Sequence, residues 1–163
     1  MQLSDEASVQ ERLAQVYESQ GNVIEAMVYY RQLADRYRQA EAWNEATAAL
    51  EKLVALDESN LEDRRSLVDL YQRLGRADLV LSGQFDLACK FKAQGNVRDA
   101  IELFELVIQK DSKFFEARRR LVDCYLEVGN LEGAKIQAEP LTERYQDEKL
   151  ADQAIDLYTR LIA

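Results

Sequence analysis

Histidine is absent from the 163 residues, proline occurs once, cysteine twice and glycine six times. Each scarcity closes off a class of function. Without histidine there is no Ser/His or Cys/His pair for nucleophilic catalysis, although lysine- and carboxylate-based mechanisms stay open. The glycines stand apart, so no phosphate-cradling loop forms. Two cysteines, Cys89 and Cys124, make neither a metal knuckle nor a disulfide framework. No run approaches the ~18 apolar residues that span a bilayer, and the start, MQLSDEASVQ, has neither the basic nor the apolar region of a secretory signal. A reducing cytoplasm is the default expectation. The formal charge of -9 opposes phosphate backbones and anionic lipid heads, so neither nucleic acid nor membrane insertion is expected.

What is plentiful is helix-forming material. Apolar residues make up 47% and charged residues 31% of the chain, which fits a helical, ordered protein. The phrase LVDLYQRLG at Leu67–Gly75 returns as LVDCYLEVG at Leu121–Gly129, 54 residues later. Shifting the whole sequence by 54 gives five columns identical in three registers: Leu13, Leu67 and Leu121; Tyr17, Tyr71 and Tyr125; Gly21, Gly75 and Gly129; Leu33, Leu87 and Leu141; Ala46, Ala100 and Ala154. Other columns keep their character, including Leu50, Phe104 and Tyr158.

Apolar residues recur at three- and four-residue steps, as in Leu67, Leu70, Tyr71 and Leu74, marking one face of an amphipathic helix. The pattern predicts an all-α fold of about nine helices: 7 to 19, 23 to 40, 43 to 57, 61 to 74, 77 to 94, 97 to 110, 114 to 128, 131 to 147 and 150 to 163. Gly21, Gly75, Gly95 and Gly129 suit positive-φ helix ends. Asp57, Ser59, Asp111 and Ser112 suit caps of the next helix. Short connections make neighbours antiparallel. Pro140 is expected to kink or split its helix, and Gly83 to weaken the matching region. Cys124, in a column with Val16 and Leu70, should be buried; Cys89 should face water.

LAQVYESQGNVIEA, LADRYRQAEAWNEA, LVDLYQRLGRADLV, LACKFKAQGNVRDA and LVDCYLEVGNLEGA each resemble the tetratricopeptide repeat, with a large and a small residue before an aromatic, a turn glycine and a small residue. In the second, Glu41 occupies the glycine's place. The resemblance implies an antiparallel α-solenoid, a tetratricopeptide-like superhelix, forming one repeat domain over residues 1–163 with units at about 7–60, 61–114 and 115–163. Two departures stand out. Glu58 and Ser112 replace the proline that usually follows the second helix, and 54 residues hold three helices where a two-helix repeat runs about 34. In such a stack each hairpin hides its apolar face against its neighbours.

The resemblance implies a non-enzymatic scaffold that binds a peptide, helix or small protein within a larger assembly. The alternative is a self-association module that packs through its terminal helices. No catalytic, cofactor or metal residue is assigned, since carboxylate pairs such as Glu102 and Glu105 read as solvated surface. The polar feature that stands out in an acidic chain is a basic echo: Arg64 and Arg65 return as Arg118 and Arg119, with Arg120 beside them. Facing a groove, these arginines would suit an acidic peptide; alternatively Arg65 pairs with Asp69, and Arg119 with Asp123, along the helix. The candidate partner-binding residues are Arg65, Arg73, Arg119, Arg120, Tyr29 and Trp43. Family members that grip C-terminal carboxylates use asparagine and lysine on their first helices; Asp69 and Asp123 take the asparagine-like place, which disfavours that mode. The final helix carries Ile155, Tyr158, Leu161 and Ile162 where a solenoid needs a polar outer face, so the chain is expected to be part of a longer array, with a homodimer through this C-terminal edge when alone.

Overall fold

The computed structural model describes residues 2–147 and 150–162. Among these residues it holds nine α-helices and no strand: α1 Gln2–Ser19, α2 Val23–Gln39, α3 Trp43–Leu56, α4 Leu61–Arg73, α5 Ala77–Ala93, α6 Val97–Lys110, α7 Phe115–Glu127, α8 Leu131–Asp147 and α9 Ala151–Ile162. In one stretch α1 packs on α2, α2 on α3 and α3 on α4, and in the other α6 on α7, α7 on α8 and α8 on α9; turns this short make such neighbours antiparallel. The first helix starts well ahead of the expected residue 7, whereas the other ends fall within one residue of expectation; Ala163, in the expected last helix, lies outside the described residues.

The chain divides into two compact units, Met1–Gly83 and Gln84–Ala163. In the first, Ala26, Leu33, Ala46, Leu50, Leu53 and Leu70 form the core, with Trp43, Tyr17 and Tyr29 packed against it. In the second, Val122, Ala134, Leu141 and Leu157 form the core, with Phe115, Tyr125 and Ala154 against it. Ala46 and Ala100 are fully buried, which suits a column where two helices approach closely. Polar contacts also recur 54 residues apart. Tyr71 donates to Glu51 at 2.9 Å, and Tyr125 donates to Glu105. Arg64 Nε donates to the Glu58 carbonyl at 3.0 Å, and Arg118 Nε to the Ser112 carbonyl at 3.2 Å.

The turns after α1, α4, α5 and α7 close on a glycine with φ between 67° and 81°. After α2 the same job falls to Glu41, with φ 55°. There the Ala42 amide reaches back to the Tyr37 carbonyl at 2.9 Å, just as the Asn22 amide reaches Tyr17 at 2.9 Å. The turn geometry therefore overrides the side chain's preference, at a cost of about 1 kcal/mol or more.

Several local expectations are corrected. The cap of α4 is Asn60, whose side chain accepts from the Glu62 and Asp63 amides at 3.1 Å each; Asp57 and Asp111 instead close the preceding turns by accepting from the Ser59 and Lys113 amides. Helix α8 is not split at Pro140. Gly83 is a point of close contact: a Cβ there would lie 2.8 Å from Val68 Cγ2. Cys124 is buried, but Cys89 is half-buried, and burial is the main cause that pushes both thiols up.

Candidate functional site

The repeated arginines are drawn into structural contacts. On α7, Glu116 accepts both Nε and Nη2 of Arg119, at 3.0 and 2.9 Å, and also Nε of Arg120 at 3.0 Å. The hydrogen bond from Arg119 is the largest cause holding the Glu116 carboxyl below its usual range. The Arg119–Asp123 pairing open in the sequence gives way to this fork, because Asp123 faces other cations: it accepts from Arg160 and lies 3.8 Å from Lys92 Nζ. Arg118 divides its guanidinium between the Ser112 carbonyl and Gln137 Oε1, the latter at 2.7 Å. Arg65 is exposed on α4. Tyr29 stacks on Tyr17 with ring centroids 5.6 Å apart and planes 11° from parallel, so one face of its ring is covered within the fold.

Trp43 and Arg73 come together. Trp43 opens α3 and Arg73 lies in the last turn of α4; the guanidinium carbon sits 5.0 Å from the indole centroid. Around this pair is a cleft of about 520 Å³ lined by Arg38, Trp43, Ser66, Asp69, Gln72 and Arg73. Arg38 enters from the last turn of α2. Among the described residues, neither Arg38 nor Arg73 is ion-paired with a carboxylate. A stacked, exposed cation–π pair is worth about 0.5–1 kcal/mol, enough to orient the guanidinium against the ring. Packing of Trp43 against the first core fixes the wall on which Arg73 rests.

A neighbouring groove of the first unit, about 370 Å³ and lined by Glu11, Arg36, Tyr37 and Glu45, differs in charge. Its one cation is 2.9 Å from Glu6, and Glu11 and Glu45 add to the burial that raises the Tyr37 hydroxyl. In the second unit Arg144 lies 4.5 Å over the Phe115 ring, with one cleft beside Arg119 and Tyr145 and another beside Lys113 and Arg118. Sequence reasoning missed Arg38 and Arg144. The signal was present: Arg36, Lys90 and Arg144 are basic in all three registers, and Arg38 and Lys92 in two.

Residues 91–161 match the family model of the tetratricopeptide repeat. That stretch is similar to tetratricopeptide repeats. Among solved structures, the chain resembles a single-substitution variant of nearly identical TPR-like repeats described as a kinesin light chain of Podosopora anserina. That likeness covers 94% of this chain and 92% of that one, at 18% identity and a TM-score of 0.50. A structure of MamA matches over 84% of this chain and 96% of its own, at 16% identity and a TM-score of 0.41. No curated protein sequence matches. At 18% identity the first likeness speaks for the all-α repeat fold alone. Tetratricopeptide repeats serve in general as protein-interaction scaffolds and are typically non-enzymatic. Among the described residues no group of three or more acidic or cysteine side chains is placed to hold a metal, and no helix is long and apolar enough to cross a membrane.

Proposed function

We propose that this chain is a non-enzymatic scaffold that holds an acidic peptide or helix in the cleft at Trp43, as one part of a larger assembly. The observation that carries the reading is the pair of guanidinium groups, Arg38 and Arg73, set around an indole wall without carboxylate partners among the described residues. An apolar side chain of the ligand would lie beside Trp43 while its carboxylates meet the two forks. Arg119 and Arg120 suit this task less, because Glu116 already takes their hydrogen bonds. In this reading the chain works in the cytoplasm, where Cys89 and Cys124 stay reduced.

Trp43 is the sole tryptophan, so its fluorescence reports directly on the cleft. Titration with peptides that combine Asp or Glu with Leu or Phe should shift the emission and saturate. Hydrogen bonds to a charged group contribute about 1.5–3 kcal/mol, so Arg73→Glu should weaken binding by roughly tenfold or more. Arg119→Glu should leave it unchanged. Asp69→Asn, which removes a like charge from the cleft, should tighten it a few-fold. Equal affinity in wild type and Arg73→Glu would refute the assignment.

A second reading, self-association through terminal helices, is favoured by a separate observation: α1 and α9 both present exposed apolar rows.

A further inference from the structure

The two apolar rows occupy corresponding places in the 54-residue register. Inside the chain, the third helix of one register packs on the first helix of the next: α3 on α4 in the first unit, and α6 on α7 in the second. On the third helices the apolar positions Leu50 and Leu53 or Phe104, Val107 and Ile108 are buried. Those on the first helices, Leu67 and Leu70 or Leu121 and Cys124, are buried as well. The same columns are open on the terminal helices. Tyr158, the counterpart of Leu50 and Phe104, is 48% exposed, and Ile162, the counterpart of Ile108, is 83% exposed. On α1, Leu13 is 37% and Val16 43% exposed, and Val9 continues the row one turn earlier.

One face is therefore the donor half of a contact the chain makes twice, and the other is the acceptor half. Resting on the self-association reading, we propose that α9 of one copy packs on α1 of a second copy, head to tail, in the arrangement that α3 takes on α4 and α6 on α7. Tyr158 would be buried beside Leu13 and Val16, as its counterparts Leu50 and Phe104 are buried within the chain. Tyr17, whose counterparts Tyr71 and Tyr125 donate to Glu51 and Glu105, would meet Thr159, the residue in that column. A twofold pairing of two α9 helices would bury only one of the two rows and leave α1 uncovered. A head-to-tail contact uses both, and each added copy leaves one face of each kind free, so growth does not stop at a dimer unless a ring closes. The charge of -9 on every copy opposes association, and added salt screens that repulsion.

Light scattering and sedimentation over a concentration series test this with two variants that each block one face, Leu13→Glu and Tyr158→Glu. The wild-type mass should rise past the dimer with concentration and rise further with salt. Each variant alone should be monomeric, since a copy with one blocked face has no free mate. An equimolar mixture should form a 1:1 dimer and nothing larger, because Tyr158→Glu still offers α1 and Leu13→Glu still offers α9. If circular dichroism shows that Leu13→Glu is misfolded, Val9→Glu, at a more exposed position of the same row, replaces it. Dimers of Leu13→Glu alone would mean a twofold contact through α9 and overturn the head-to-tail arrangement while sparing self-association. A mixture that stays monomeric while the wild type associates would also overturn it. A wild type that remains monomeric throughout would overturn both.

Discussion

Gly83 sits in the interior of α5, where replacing glycine by alanine ordinarily stabilises a helix by about 0.5–1 kcal/mol. Here the opposite is expected. The new methyl would lie 2.8 Å from Val68 Cγ2, well inside ordinary carbon–carbon contact of about 3.5–4.0 Å. Val68 is buried on α4 and, being β-branched, has little freedom at χ1 to turn the methyl away. Overpacking of this kind costs about 1–3 kcal/mol, so Gly83→Ala should be destabilising by up to about 2 kcal/mol after the helix gain is subtracted. For a chain of this size that is a fall in Tm of about 2–8 °C.

The decisive measurement is a double-mutant cycle in urea, followed by far-UV circular dichroism. Val68→Ala alone removes two methyl groups and should cost about 2 kcal/mol from transfer and cavity terms. In the Gly83→Ala background the same deletion removes the clash, and the introduced methyl occupies part of the vacated space. The two changes should therefore couple favourably by about 1–2 kcal/mol. A Gly83→Ala protein more stable than wild type, with no coupling to Val68, would show that α4 and α5 do not meet at this point as described.

Two further outcomes are expected. Tyr71 and Tyr125 are each pushed up to about 12, first by burial and then by donating to Glu51 and Glu105; a phenol held protonated by the fold stabilises fully below its unfolded value of about 10 and loses that contribution as pH rises toward 12. Thermal melts should therefore fall between pH 10 and 12, and Tyr71→Phe should flatten part of that fall, whereas an identical slope would assign the alkaline loss elsewhere. Glu41→Gly should stabilise by about 0.5–1 kcal/mol, because relief of a left-handed φ outweighs the added freedom of the unfolded chain; a less stable variant would mean that the Glu41 side chain contributes something the turn alone does not.

The helices were legible because their signals are local. A buried face repeats at 3.6 residues whatever lies opposite it, and a helix that must turn back in three residues needs positive φ, so the glycines marked the ends and even Glu41 stood out as an exception. Close contacts were less legible. Gly83 looked like a weak point because the sequence does not say which side chain faces it; only the placement of Val68 turns it into a site of tight approach. The capping residue of α4 was misassigned for a similar reason, since Asp57, Ser59 and Asn60 are all competent acceptors and the turn geometry chooses among them.

The arginines show why repetition helps with fold and misleads about binding. A residue that returns at 54 is explained by what returns with it, and Arg64 and Arg118 return because each holds the carbonyl of the residue six places before it. The echo that made the basic cluster conspicuous is thus largely a capping device. Trp43 and Arg73 do not return: their columns hold Val97 and Glu127 in the next register. Packing alone permits valine at the first position and an acid at the second, so the repeat itself does not demand an indole and a guanidinium there. Yet the fold brings these two unrepeated residues within 5.0 Å of each other, on the wall of an open cleft that a second arginine also lines. In a chain built from repeats, departures from the common pattern that converge in space are the better guide to a binding site. On that ground the proposed site is placed at Trp43, where the repeat is broken, and not on α7, where it is kept.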